Sequence, residues 1–173
     1  MEKTISSRVI FEGRAVKLRV DTVDVNGRES TREIVEHADC VAIIPLDDKD
    51  NILLVRQYRK AVEKELLEIP AGGIDPGEDA EMAVKREMQE ETGYIPGKMK
   101  RIGGFYSSPG FCTEYLHLFL VSDLTPSRLV AEDTEGIQVV PTPAGKIAGL
   151  LDSGEICDSK SIAGLRTFLN CRD

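Results

Sequence analysis

The chain has 173 residues, of which 41% are apolar and 30% charged, with 15 Gly and 8 Pro. This length predicts about one domain with a real core, and the composition excludes a disordered or fibrous chain. The 30 acidic residues outnumber the 22 basic ones, and the net charge of −8 argues against nucleic acid or an anionic membrane as a partner.

An antiparallel hairpin is predicted at the start of the chain. Apolar and charged residues alternate over 16–20, and Asn26-Gly27 suits a type I′ turn between two strands. We therefore expect residues 1–38 to form a small N-terminal antiparallel β unit and residues 39–173 to form the main domain.

The cysteines and the first residues bear on the compartment. The four cysteines lie far apart and form no CxxC pair, so reduced thiols are expected rather than a disulfide framework or a zinc site. The N-terminal sequence lacks an apolar stretch of targeting length, and the longest apolar runs have the length of strands. We therefore expect a cytoplasmic protein.

Strands and helices alternate along the rest of the chain. Two apolar runs, 41–46 and 52–58, flank a polar turn typical of a hairpin. Three more segments have the character of strands: 101–106, 115–121 and 137–140. Three segments have the caps and apolar periodicity of helices: 79–92, one that starts at Thr142-Pro143, and one that follows Asp158. This mixture predicts an α/β sandwich with a mixed sheet.

The first predicted helix has acids where a helix tolerates them least. At about 100° per residue its apolar stripe continues into Glu87 and Glu91. Together with Glu90 these acids converge in the C-terminal turn, where mutual repulsion and the helix dipole both disfavour them. A solvated face with Arg86 as counterion would not explain the stripe or the glycine-rich approach. A hard divalent cation such as Mg²⁺ or Mn²⁺ would turn the repulsion into coordination.

The spacing of these residues resembles the Nudix box. Its fixed positions are occupied by Gly72, Glu78, Arg86-Glu87-Met88, Glu90-Glu91 and Gly93, and the departure is Tyr94, where an aliphatic residue is usual. The resemblance implies a Nudix hydrolase with an α/β/α sandwich that splits a diphosphate linked to another moiety. It implies Glu87 and Glu91 as metal ligands, Glu90 as a neighbouring ligand or catalytic acid, Arg86 as the residue that orients the acids, and Glu78 as a support of the loop.

Segments outside the box resemble ADP-ribose diphosphatases of that family. The segment Glu68-Ile69-Pro70-Ala71-Gly72 implies the carbonyl of Ala71 as a metal ligand. The strand Val55-Arg56-Gln57-Tyr58-Arg59 implies that Arg59, with Arg56 as a further candidate, contacts the substrate's phosphates. Pro109 lies sixteen residues after Gly93, which implies a substrate-binding role for Pro109 and Gly110, although Ser-Pro-Gly is equally a simple turn.

A last acidic segment, 132–139, resembles the loop and strand that supply these enzymes with a catalytic base. Glu135 matches best because it directly precedes the strand, and Glu132 and Asp133 stay open as alternatives. The resemblance also implies a homodimer in which the N-terminal hairpin crosses to the partner and shapes the adenosine pocket.

The expected function is Mg²⁺-dependent hydrolysis of ADP-ribose to AMP and ribose 5-phosphate. Two or more ions would act together, and Mn²⁺ would substitute for Mg²⁺. The expected partner is a small-molecule nucleoside diphosphate sugar, with no nucleic acid and no membrane. Two alternatives stay open: a diphosphatase for another such sugar, for example GDP-mannose or UDP-glucose, and a non-catalytic nucleotide-binding Nudix module.

Overall fold

The computed structural model of the chain describes residues 1–131 and 134–172. Two units are distinguished: Met1–Asp39 with Tyr106–Tyr115, and Cys40–Phe105 with Leu116–Asp173. The first unit thus includes Tyr106–Tyr115 in addition to the N-terminal β unit expected over residues 1–38.

The first unit is built on a three-stranded antiparallel sheet in the order β1-β2-β3. The strands are β1 (Lys3–Glu12), β2 (Lys17–Val25) and β3 (Arg28–Glu36). Asn26 and Gly27 have φ values of 55° and 83°, as the type I′ turn requires, and Val25 pairs with Arg28. The predicted hairpin is confirmed.

The second unit holds two sheets. One has the order β7-β4-β9-β8 and the other the order β10-β5-β6. The strands are β4 (Cys40–Pro45), β5 (Asn51–Arg59), β6 (Lys64–Glu68), β7 (Ala71–Gly73), β8 (Tyr94–Tyr106), β9 (Tyr115–Pro126) and β10 (Gln138–Pro143). Strand β4 runs parallel to β9 and antiparallel to β7, so its sheet is mixed.

The predicted hairpin between the two central apolar runs is wrong. Strand β4 pairs with β7 and β9, whereas β5 pairs with β6 and β10. The chain therefore changes sheets at the polar turn, where Leu46 and Ile52 form an isolated bridge. Apolar runs on either side of a turn fit two stacked sheets as well as one hairpin, and local sequence does not distinguish these arrangements.

Helix α1 (Ala80–Glu87) continues directly into a π-helical turn (Met88–Thr92). A 3₁₀ turn (Ala144–Lys146) leads into α2 (Ile147–Asp152), and α3 (Ser159–Asn170) follows. Asp79 and Asp158 cap α1 and α3 by accepting hydrogen bonds from the third residue beyond them. In the described part of the chain, no helix has the length and apolarity needed to cross a membrane.

The helix predicted to start at Thr142-Pro143 starts later, at Ala144. Both residues belong to β10, because Pro143 still pairs with Asn51 of β5. The Thr142 hydroxyl donates to the carbonyl of Val140 at 3.1 Å and does not cap the helix. The predicted cap at this position is therefore wrong.

Two apolar clusters fill the second unit, one on each side of β4. Ala42 and Ile44 point to a cluster that includes Leu165 and Phe168 of α3. Val41 and Ile43 point to a second cluster with Ala83, Val84 and Met88 of the α1 helix and its π turn. Because successive side chains of a strand face opposite sides, β4 is buried on both faces. The predicted α/β sandwich with a mixed sheet is confirmed, and it holds α1 against β4 and β7.

Candidate active site

Three glutamates lie where α1 passes into its last, wider turn. The N–H of Gly93 donates to the carbonyl of Met88, which gives this turn π rather than α register. Gly93 then ends the helix at a φ of 80°, a conformation that glycine adopts readily. Glu87 and Glu91 are buried, and Glu90 is partly buried beside them.

A cleft of about 450 Å³ opens in front of these acids. Its walls combine Gln57 and Arg59 of β5, the backbone of β7, and the side chains of Arg86, Glu87, Glu90 and Glu91. The cleft therefore brings the acids of the π turn together with a cation from the neighbouring sheet.

Strand β7 approaches the acids so closely that a side chain at Gly72 has no room. A Cβ atom there would lie under 3.0 Å from three atoms of the Glu87 carboxylate. Glu91 contacts the same strand, because its Oε2 accepts a hydrogen bond from the N–H of Ala71 at 3.2 Å. At Gly73, in contrast, a Cβ would meet open space. The place of the Glu87 carboxylate thus depends on the absence of a side chain at Gly72.

One guanidinium group orders the acids around this strand. Arg86 donates to both carboxylate oxygens of Glu78, at 2.9 and 3.0 Å. It also donates to Glu87 at 2.5 Å, to Glu90 at 3.2 Å and to the carbonyl of Gly73 at 2.7 Å. Only the planar fork of arginine offers donors in this many fixed directions. The orienting role implied for Arg86 and the supporting role implied for Glu78 stay predictions that these hydrogen bonds permit.

The pKa values of Glu91 and Glu78 are shifted in opposite directions. Burial and the nearby charge of Glu87 raise the pKa of Glu91 to about 8. Hydrogen bonds from Arg86 hold the pKa of Glu78 below its usual value. Without a cation, Glu91 therefore keeps a proton at neutral pH. A divalent cation would take the place of that proton, and a donor set of carboxylate and backbone oxygens fits Mg²⁺ or Mn²⁺.

The two arginines of β5 have different surroundings. Arg59 reaches the cleft and donates through Nε and Nη2 to Glu68, at 3.0 and 2.6 Å. Arg56 does not line this cleft and pairs instead with Glu155 at 3.4 Å. Gln57 shares the cleft side with Arg59, as residues two apart on a strand do. That alternation in the sequence would have separated Arg56 from Arg59 and identified Gln57 as a site residue.

Three other predicted site residues, Glu135, Pro109 and Gly110, do not line this cleft. Glu135 is exposed in a depression beside the cleft, whereas its neighbours Thr134 and Ile137 line the cleft itself. The alternative bases Glu132 and Asp133 lie outside the described residues. Pro109 and Gly110 belong to a turn of the first unit, in which the N–H groups of residues 111 and 112 donate to the carbonyl of residue 108. Their part in substrate binding stays a prediction.

Comparison with known proteins identifies relatives across most of the chain. A family model described as NUDIX domain matches residues 36–155. An ADP-ribose pyrophosphatase of Bacillus subtilis (strain 168) is 38% identical over 163 residues, which cover 92% of this chain and 88% of that protein. A methanol dehydrogenase activator of Bacillus methanolicus is also 38% identical, and the match covers 95% of this chain and 91% of that protein. The crystal structure of an ADP compounds hydrolase superposes with a TM-score of 0.89 at 21% identity, covering 98% of this chain and 93% of that one.

Proposed function

The chain belongs to the Nudix family, and on that basis we propose that it hydrolyses the diphosphate bond of ADP-ribose to AMP and ribose 5-phosphate. The observation that carries this proposal is the cleft, which is lined both by three glutamates of one helical turn and by Arg59 of a strand. The substrate is supported by the relative named ADP-ribose pyrophosphatase, which aligns with nearly the whole chain.

Nudix hydrolases use divalent metal ions. For this chain we propose two or more Mg²⁺ ions, with Mn²⁺ as a substitute, held by Glu87, Glu91 and the carbonyl of Ala71, with Glu90 alongside. When bound, such ions neutralise diphosphate oxygens and lower the pKa of an attacking water. The contact of β7 with Glu87 and the hydrogen bond from Ala71 to Glu91 support this set, because they hold both carboxylates against one backbone segment.

The other cleft residues would act on the substrate and on the proton. Arg59 would bind phosphate oxygens, for which a planar guanidinium is better suited than an ammonium group. Arg86 would keep the glutamates in position without contacting substrate. Glu135 would accept the proton of the attacking water, with Glu132 and Asp133 as alternatives. Because Glu135 is exposed beside the cleft, this role requires its loop to close over bound substrate.

The first unit would serve assembly. Strand β1 is exposed along its length and presents Ile5, Val9, Ile10 and Phe11, each about half exposed or more. A row of large apolar side chains on one strand supports a protein interface. We propose a homodimer formed through residues 1–38, with Pro109 and Gly110 contributing to the substrate pocket. Light scattering should then give about twice the monomer mass of 19.1 kDa.

The location proposed for the enzyme is the cytoplasm. All four cysteines are thiols, which is the state expected in a reducing compartment. Its partner there would be a small-molecule nucleoside diphosphate sugar rather than nucleic acid, in keeping with the net charge of −8.

A substrate panel with product identification tests this function. The protein would be incubated with Mg²⁺ and equal concentrations of ADP-ribose, GDP-mannose and UDP-glucose, with Glu91→Gln as the inactive control. We expect ADP-ribose to give the highest kcat/KM and to yield AMP and ribose 5-phosphate. Faster cleavage of GDP-mannose or UDP-glucose would establish the alternative diphosphatase, and binding without turnover would establish the non-catalytic module.

A further inference from the structure

A buried carboxylate behind the cleft is shared by two cations. Glu68, at the end of β6, is 1% exposed and accepts both hydrogen bonds of the Arg59 fork. Its Oε2 also accepts a hydrogen bond from Nζ of Lys160, in the first turn of α3. Lys160 pairs in addition with Asp158 at 2.8 Å. The cleft arginine is thus linked through one carboxylate to a helix that does not line the cleft.

The link is held in place on both sides. Asp158 caps α3 by accepting from the N–H of Ser161 at 3.1 Å. The hydroxyl of Ser161 in turn accepts from the N–H of Ile69 at 2.9 Å, one residue after Glu68. The first turn of α3 is therefore fastened to the segment that enters β7. Although burial disfavours a charged carboxyl, hydrogen bonds from Arg59 and Lys160 hold the pKa of Glu68 below its usual value.

The charges of the cluster favour a role in substrate binding. Arg59 and Lys160 balance Glu68 and Asp158, so the four charges sum to zero. Without Lys160, Arg59 alone would face two acids, and one negative charge would be left in excess beside the cleft. The guanidinium of Arg59 would still be held by Glu68, but the excess negative charge would weaken its attraction for a substrate phosphate.

We propose that Lys160 is a positioning residue for substrate binding. By sharing Glu68 with Arg59, Lys160 keeps the guanidinium in place and leaves its charge available to the diphosphate of the substrate. This proposal rests on the proposed function, because it takes Arg59 as a ligand of substrate phosphate. Lys160 itself touches no reacting atom.

The first test is a pair of substitutions at Lys160. Lys160→Met should raise the KM for ADP-ribose about tenfold and change kcat less than about threefold, since a binding contact is weakened and the hydrogen bonds of Lys160 go to Glu68 and Asp158 rather than to the metal-site acids. Lys160→Arg, which keeps the charge, should return KM to within about threefold of the parent. The matched control is Arg166→Met, also on α3, which removes an equal charge from an exposed pair with Asp152. This control should leave KM unchanged.

A double-substitution cycle separates positioning from a merely structural role. If the effect passes through Glu68, Lys160→Met should change KM less than about twofold in a Glu68→Gln background. A structural role would instead lower the melting temperature and the active fraction, so kcat would fall with KM unchanged. That pattern, or a full tenfold rise in KM in the Glu68→Gln background, would overturn the proposal.

A binding assay distinguishes this proposal from the proposed function. Calorimetry with methylenediphosphonate and Mg²⁺ reports phosphate affinity without turnover, and Lys160→Met should bind about tenfold more weakly than the parent. If the parent fails to cleave ADP-ribose, the proposed function falls, and the diphosphonate affinities alone decide the role of Lys160. If the parent cleaves ADP-ribose but Lys160→Met keeps its KM and affinity, only this proposal falls. If the parent cleaves ADP-ribose but does not bind the diphosphonate, the proposed function stands and the KM values of the two Lys160 variants decide the role of Lys160.

Discussion

Substitution of Gly72 by alanine tests the placement of Glu87, a proposed metal ligand, most directly. The added Cβ would lie under 3.0 Å from three atoms of the Glu87 carboxylate. The φ of Gly72 is not among the positive values of the chain, so the backbone itself accepts alanine. The substitution therefore moves one carboxylate and leaves the strand as it is.

The expected losses of activity and stability follow from the contact between the added Cβ and the Glu87 carboxylate. Ordinary contact begins at 3.4 Å, so the carboxylate must move, by a distance on the order of 1 Å. A misplacement of about 1 Å costs about 100-fold in rate. The move also weakens the 2.5 Å hydrogen bond from Arg86, a charge-assisted bond worth about 1.5–3 kcal/mol. Because 1 kcal/mol shifts the melting temperature of a chain of this size by about 2–4 °C, we expect a melting temperature lower by less than about 12 °C.

The assay compares two neighbouring glycines. For Gly72→Ala we expect kcat/KM on ADP-ribose to fall about 100-fold and the affinity for Mg²⁺, measured by calorimetry, to fall with it. Gly73→Ala is the control, because a Cβ at Gly73 meets open space, and it should stay within about twofold of the parent.

Two results would refute this reasoning. A Gly72→Ala variant with parental kcat/KM and Mg²⁺ affinity would show that Glu87 need not lie against β7 and is not a metal ligand there. An equal loss in Gly73→Ala would show that the conformational freedom of β7, and not contact with the carboxylate, governs activity.

Three further predictions concern charged residues of the site. In EDTA, the folded chain keeps a proton on Glu91 that the unfolded chain releases, so the melting temperature should fall as pH rises from about 4.5 to about 8. Differential scanning fluorimetry should show a smaller decrease in melting temperature for Glu91→Gln over this pH range. Equal decreases in the parent and the variant would contradict the raised pKa of Glu91. Arg59→Ala should raise the KM for ADP-ribose at least about tenfold, whereas Arg56→Ala should change it less than about twofold, and equal effects would disprove the assignment by strand face. Arg86→Lys should lower kcat about 100-fold, because an ammonium group cannot hold three acids and a carbonyl at once, and retention of parental kcat would argue against the orienting role.

The convergence of the three glutamates in the cleft could be predicted because its determinants are local. The acids lie within one helix, where a spacing of three or four residues fixes which side chains converge. The close approach of Gly72 to Glu87 is also marked in the sequence, since a glycine-rich segment directly precedes the helix. Such relations need no knowledge of how distant strands pair.

Relations between distant segments could not be predicted in the same way. The change of sheets between β4 and β5 depends on β9 and β10, which follow much later in the chain. The cation beside Glu68 comes from Lys160, 92 residues further on, and nothing in either local sequence indicates the pair. Arg56 was a different case, because the alternation of β5 already carried the information that places it away from the cleft.

The π turn also changes which backbone groups are left to other segments. In α register the N–H of Gly93 would bond to the carbonyl of Gln89, but here it bonds to Met88. The Gln89 carbonyl instead accepts from the N–H of Leu129 at 3.3 Å, and the Gln89 side chain donates to Ser127 at 2.8 Å. Ser127 and Leu129 are therefore anchored to the same turn that carries Glu90 and Glu91.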